Sequence, residues 1–359
     1  MDNLLKEDDA KVVVFGPFVG EFGWELMHWM GWVKAACAGQ YSKFKKIAIS
    51  YPGRQPLYPD VDEFIPIPEW LDAKSVSPRN YILDGWINGF PGKLDESKYE
   101  WDWDFVKYRI KSKQKPHRIP LEEPYEWSDA KKFAQDAHTF CTSLFPKSDV
   151  TYVTPWKLNF NEGSLFGFND QVPYKFLSHS RNIYRFPNPE FEWSNLKSTS
   201  KGKDLLDSIC DKNSNFITIF PRMRVHRRED KNWGLGNYLE TIKLLQRNYP
   251  DHRIVIAGER NGAYFKDGVP ENCLDLINIE AEFRLDAQIA ALERSAFALG
   301  SLSGAMFLPL MTKTPTIVFG LGFEKERFEK GNLLGTKLSY IQESNPTVLN
   351  VISACDEYL

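Results

Sequence analysis

The chain has 359 residues and a formal net charge of −3, with charged side chains at 26%; that length suits two domains of roughly 100–200 residues, and the balance excludes an overall basic field for nucleic acid or an anionic membrane. Five cysteines, scattered and without a CxxC pair, argue against a disulfide framework or a zinc site and fit a reducing compartment. The acidic segment Met1–Ala10 has no apolar core and no run approaches the ~18 apolar residues of a membrane span, so the expectation is a soluble, cytoplasmic protein with no transmembrane segment and no nucleic-acid polymer as partner.

In chain order, Lys11–Phe15 reads as a short buried strand. A turn with Gly16, Pro17, Gly20 and Gly23 follows, then a helix from Trp24 to about Ala38. Lys45–Ser50 and Glu63–Ile67 supply two more strands, as in a Rossmann-like half. Between about Pro68 and Pro124 the pattern dissolves into Trp, Tyr, Gly, Pro and mixed charge, which reads as an irregular insertion. Ser128–Leu144 reads as a helix capped by Ser128, because Phe133, Ala137, Phe140 and Leu144 share one face. Asn159–Ser200 has no sustained period and reads as a linker or interdomain surface.

From Lys201 the pattern becomes regular α/β. Helices are expected near Asp204–Cys210, Gly236–Arg247, Leu285–Arg294 and Gly304–Met311. Strands are expected at Phe216–Phe220, Arg253–Ala257, near Leu274–Ile277, at Ala296–Leu299 and at Thr316–Phe319. A strand at Leu338–Ile341 and a closing helix end the chain. Repeated βα units mean parallel sheets covered on both faces. The expected organisation is an N-terminal acceptor domain over 1–200 carrying the insertion, a C-terminal donor domain over 201–335, and a tail over 336–359 packing back toward the first domain.

The densest chemistry lies between Phe216 and Trp233, where an apolar β-branched run empties into Arg222, Arg224, Arg227, Arg228 and Lys231. Arg forks match phosphate oxygens bidentately and Lys acts as a point charge, while open parallel sheets bind ligands at their carboxyl ends. A nucleotide diphosphate suits that place; a solvated charged loop is the plainer reading, although Trp233 is awkward to leave beside so much charge. Gly258-Glu259 ends the next strand, where a carboxylate can accept two ribose hydroxyls. Gly300-Ser-Leu-Ser-Gly304 opens a helix, where N–H groups and the dipole favour phosphate, and serine capping explains the same residues.

Near the N-terminus, Gly20-Glu21-Phe22-Gly23-Trp24-Glu25 places two carboxylates at a helix mouth. Either Glu21 or Glu25 can act as general base on an acceptor hydroxyl, and helix capping accounts for each as well. His28, one turn on, is an acceptor contact or a packed residue, and Gly20 and Gly23 complete the acceptor side. No metal constellation stands out; Asp102-Trp-Asp104 lies in the insertion and reads as an acidic patch. GxSxG is missing, and Gly16-Pro-Phe-Val-Gly20 does not supply GxGxxG. Aromatics reach 14%, which suits a saccharide cleft but also ordinary core packing.

Together these residues resemble a GT-B glycosyltransferase, most similar to the heptosyltransferase-like nucleotide-sugar enzymes, over about 120 residues of the C-terminal half and more weakly over the first 40. Lys231-Asn-Trp233 matches the family's Lys-x-Trp, Gly258-Glu259 its Gly-Glu, Ser303-Gly304 its Thr-Gly, and Phe319-Gly320 its Tyr/Phe-Gly. Leu302 stands where the family has Asp, and Phe307 where it has His. The resemblance implies two Rossmann-like domains facing across a cleft. It further implies that Lys231 and Glu259 contact a nucleotide sugar, that Ser303 and Gly304 bind its diphosphate, and that Glu21 or Glu25 aligns with the family's base. The expected reaction is metal-independent sugar transfer, without cofactor, to a glycan or other hydroxyl acceptor. A nucleotide-sugar epimerase of this fold and a noncatalytic glycan- or nucleotide-binding protein are the alternatives.

Overall fold

The computed structural model describes residues 11–18, 22–68, 70, 139–140, 143–145, 150–154, 175–178, 192–224 and 229–359. The described chain forms two compact units that are not consecutive in sequence. One takes 11–18, Trp32–Tyr51 and the described part of Tyr58–Tyr184; the other takes Phe22–Gly31, Pro52–Leu57 and the described residues from 192 to 359.

Among the described residues, the first unit holds a five-stranded parallel sheet in the order β3-β2-β1-β4-β5, with β1 Val12–Phe15, β2 Lys45–Ser50, β3 Glu63–Pro66, β4 Val150–Thr154 and β5 Lys175–Ser178. β1 sits at the centre, entirely buried, in register with β2 on one side and β4 on the other (Val12 with Lys45 and Val150). Its four apolar residues follow from that position, since a parallel strand is covered on both faces. β4 goes unread in the sequence, and β5 falls inside the stretch read as a linker: a four-residue Lys-Phe-Leu-Ser strand among Asn, Pro and Ser is too short to declare a period. The expected insertion, and most of the helix expected at Ser128–Leu144, lie outside the described residues.

The expected first helix is in two styles. Phe22–Trp24 makes one helical turn, Glu25–Trp29 a wider π-helical turn, and α1, Met30–Ala38, continues as regular helix. The π turn buries Glu25, Leu26, Met27, His28 and Trp29 together, and such turns concentrate at functional positions.

The second unit holds a six-stranded parallel sheet in the order β11-β10-β9-β6-β7-β8. Its strands are β6 Asn215–Phe220, β7 His252–Ile256, β8 Cys273–Asp275, β9 Ser295–Ser301, β10 Thr316–Phe319 and β11 Leu338–Ile341. Read from the first strand of the unit this is the 3-2-1-4-5-6 order of a Rossmann sheet, whose direction of winding reverses between β6 and β9. The helices are α2 Ser200–Ile209, α3 Leu235–Asn248, α4 Ala281–Glu293, α5 Phe307–Met311, α6 Gly322–Lys330 and α7 Val348–Asp356.

Alternation along the strands separates two cores. Ile217, Ile219, Ile254, Ile256, Leu299 and Phe319 face α3 and α7 with Tyr238, Leu245, Val351 and Cys355. Phe216, Val255 and Leu274 point the other way, onto Leu206 of α2 and Ala287, Ala290 and Ala291 of α4. The small alanine face lets α4 lie close to the sheet. Across α2 and α4, Asp286 accepts from the backbone N–H of Thr199 at 2.8 Å and from the Thr199 hydroxyl. β11 pairs with β10, and α7 joins the core that α3 covers, so residues 338–356 complete the second unit.

Candidate functional site

Because all six strands run parallel, the loops after β6, β7, β9 and β10 emerge on one edge of the second sheet, on either side of the reversal between β6 and β9, the place where open parallel sheets bind ligands. The loop after β6 is stapled by Asn232. Its side-chain oxygen accepts from Arg222 Nη1 at 2.5 Å and from the Arg224 backbone N–H at 3.0 Å, and its amide donates to Arg224 O at 2.6 Å. Arg222 is buried and bridges to Ala263 through its backbone. It therefore serves the loop's architecture in this structure. Arg228, expected to bind donor, and Arg227 lie outside the described residues.

Lys231 ends a short 3₁₀ turn, Glu229–Lys231. Its carbonyl accepts from the buried Ser301 hydroxyl at the end of β9, and its ammonium lies 2.5 Å from Glu324 Oε1. Trp233 is only 1% exposed: it packs on Tyr238 and Phe319 and donates its indole N–H to Pro346 O at 2.7 Å. The cationic loop is thus anchored by an aromatic core residue, which resolves why a tryptophan closes so charged a run.

After β7, the carbonyl of Gly258 accepts from the buried Gln288 amide at 2.9 Å, and Glu259 leaves 44% of its side chain exposed. Two arginines hold its carboxylate: Arg54 Nη2 on Oε1 at 2.9 Å and Arg284 Nη1 on Oε2 at 3.1 Å. Arg284 in turn donates to Ile279 O. Arg54 lies 3.7 Å from the Glu25 carboxylate through Nε, with its guanidinium 3.9 Å above the Phe22 ring. Gly53 sets this up, since its positive φ of 78° and its approach to the Ala281 carbonyl leave no place for a Cβ. The result is an alternating row, Glu25, Arg54, Glu259, Arg284, whose charges cancel.

Glu25 has no exposed surface and His28 is 1% exposed. Glu21 and Gly20 lie outside the described residues. Gly23 and Gly304 meet each other: a Cβ on either would stand 2.7 Å from the other's Cα. These glycines, expected on acceptor and donor sides, are needed here for backbone contact. Ser303 precedes a 3₁₀ turn, Gly304–Met306, and its hydroxyl makes no capping bond. Leu302 is buried, and Phe307 packs on Phe328 at 4.6 Å between ring centroids. The two positions where the family carries Asp and His are thus apolar core.

Sequence reading missed Asn232, Arg54, Arg284 and Glu324. Asn232 sat inside the Lys-x-Trp element as its unspecified residue, and Arg54 follows a Tyr-Pro-Gly turn after β2, a strand-end position of the kind already weighted elsewhere. Glu324 lies in α6, a helix that sequence reading did not assign. Among the described residues no group of three or more His, Cys, Asp or Glu is placed to hold a metal ion, and no helix is long and apolar enough to cross a membrane. Asp102 and Asp104 lie outside the described residues.

No protein-family model matches the sequence, and no curated protein is significantly similar to it. Solved structures are similar. The ADP-heptose LPS heptosyltransferase II of E. coli superposes with a TM-score of 0.50 at 13% identity, over 97% of this chain and 98% of its own. A glycosyl transferase family 9 structure from Veillonella parvula gives a TM-score of 0.49 at 11% identity, over 98% and 97%. E. coli heptosyltransferase WaaC with ADP gives 0.42 at 13%, over 97% and 100%. At such identities likeness speaks for fold: the chain has the α/β fold of the GT-B glycosyltransferases, with two Rossmann-like units.

Proposed function

We propose that the protein is a glycosyltransferase that moves a sugar from a nucleotide-diphosphate donor to a glycan or other hydroxyl acceptor. The observation that carries this reading is the placement of Lys231, Glu259 and Ser303-Gly304 on loops at one carboxyl edge of a Rossmann sheet, flanking its reversal point. In this reading Glu259 receives the ribose, Lys231 faces the diphosphate, and the backbone N–H groups of Ser303 and Gly304 bind its oxygens.

The acceptor oxygen attacks the anomeric carbon as the bond to the diphosphate breaks. The electron pair leaves with the diphosphate, whose growing charge is met by Lys231, and the acceptor proton passes to a carboxylate. Glu21 takes that role, because Glu25 is sealed and tied to Arg54, whereas a base must come within hydrogen-bond reach of the proton it removes. With the Lys231 ammonium and the backbone N–H groups of Ser303 and Gly304 at the leaving group, transfer proceeds without a metal ion.

The test is incubation with a panel of nucleotide sugars, with and without EDTA, following release of nucleoside diphosphate and the fate of the sugar. ADP-sugars come first, since the structural relative of the same fold is named for ADP-heptose. Diphosphate release that persists in EDTA and is lost in Glu21→Gln supports the proposal. Conversion of the sugar to an epimer instead of transfer would replace it.

A further inference from the structure

The edge of the second sheet presents its key lysine already paired. Lys231 and Glu324 sit on segments that follow β6 and β10, the two neighbours of β9. Their ion pair therefore reaches across the carboxyl end of β9, and the Ser301 hydroxyl ties the backbone of Lys231 to that same end. Both side chains are largely withdrawn from water, at 11% and 15% exposure.

Glu324 is also held where a carboxylate is favoured. It lies in the first turn of α6, where the helix dipole stabilises negative charge. The turn into α6 is fixed by the Tyr340 hydroxyl, which donates to Leu321 O at 2.9 Å. Burial, followed by Glu324 and Glu329, pushes the Tyr340 phenol up, so it remains a donor at neutral pH. The Lys231 ammonium has three N–H donors, but with a carboxylate at 2.5 Å it can donate to a phosphate oxygen only against that carboxylate's repulsion, which an exchange of partners relieves.

Building on the proposed donor site, we infer that Glu324 is a resident anion: it occupies the ammonium of Lys231 until the diphosphate of the donor displaces it. Exchange lets the mostly buried ammonium keep an anionic neighbour throughout, since breaking such pairs without replacement is costly. It also ties donor binding to a displacement of the Glu324 side chain, and release of the nucleoside diphosphate to its return.

The sign of one substitution tests this. Glu324→Gln keeps the shape and removes the competing charge, and pyrophosphate serves as a probe independent of the nucleobase. By calorimetric titration of the full chain, Glu324→Gln is expected to bind pyrophosphate about tenfold more tightly than the unsubstituted protein, the scale of one charge-assisted hydrogen bond. The melting temperature without ligand should fall at the same time. Glu324→Asp retains the anion and should not gain affinity, which separates loss of charge from a general loosening of α6. Equal or weaker binding by Glu324→Gln, with binding by the unsubstituted protein intact, would overturn the inference and leave the donor site standing. Absence of pyrophosphate and nucleoside diphosphate binding in every form would overturn both.

Discussion

Glu21 and Glu25 are four residues apart, yet only Glu21 is assigned to chemistry. Replacing Glu21 by Gln is expected to lower transfer by about 10²–10⁴-fold, the usual contribution of a general base, with little change in melting temperature. Glu25→Gln instead removes a buried partner of Arg54. Denaturant titration should report a loss of about 1–3 kcal/mol, since Arg54 keeps its bond to Glu259. Equal stability losses in the two variants would remove the distinction. At this scale the site was half legible. Lys231, Glu259 and Ser303 announce themselves because each follows an apolar strand. Their partners do not: Arg54 is 205 positions from Glu259 and Lys231 is 93 from Glu324, and a pairing that folding alone creates leaves no local pattern to read.

Among the elements, β6, β7 and β10 of the second unit were readable because each is a run rich in β-branched or aromatic residues bounded by a turn. α6 escaped because its apolar face is slight, with Phe328 packed on Phe307 and Tyr340. β5 escaped because it is short and surrounded by loop-forming residues. The contact of Gly23 with Gly304 joins the first helical turn to the turn after β9. Alanine at either position forces backbone apart where there is no slack, and overpacking of that kind costs about 1–3 kcal/mol. Thermal melts of Gly304→Ala should show a lowered transition, whereas Gly236→Ala, where a Cβ meets nothing within 4 Å, should not. Similar losses in both would mean that the contact is not what constrains Gly304.

Over the whole molecule, ionisable groups sealed in the core set the alkaline limit. Burial, then Asp60, pushes the Cys37 thiol up to about 12, and burial, then Asp356, takes Cys355 to about 12. Each folded value is raised, so the unfolded chain loses these protons first. Their contribution is fully present below the ordinary thiol pKa of about 8.5 and is lost as pH rises from there toward 12. Melting temperature should hold between pH 7 and 8.5 and then fall steadily. The thiolate is the reactive form and burial keeps the Cys37 thiol protonated at pH 8, so alkylation of the native protein should be slow and become fast only in denaturant. Rapid native labelling of Cys37 and Cys355 would contradict the burial that defines both units.

The most direct measurement is a thermal-shift panel of nucleoside diphosphates and nucleotide sugars, with and without EDTA, on the full chain and on Lys231→Ala. A ligand that binds only the folded state raises the transition by mass action. One nucleotide family should raise it, equally in EDTA, and the rise should vanish in Lys231→Ala. No shift with any nucleotide at concentrations far above micromolar, or a shift that Lys231→Ala leaves untouched, would contradict a donor site at the carboxyl edge of the second sheet.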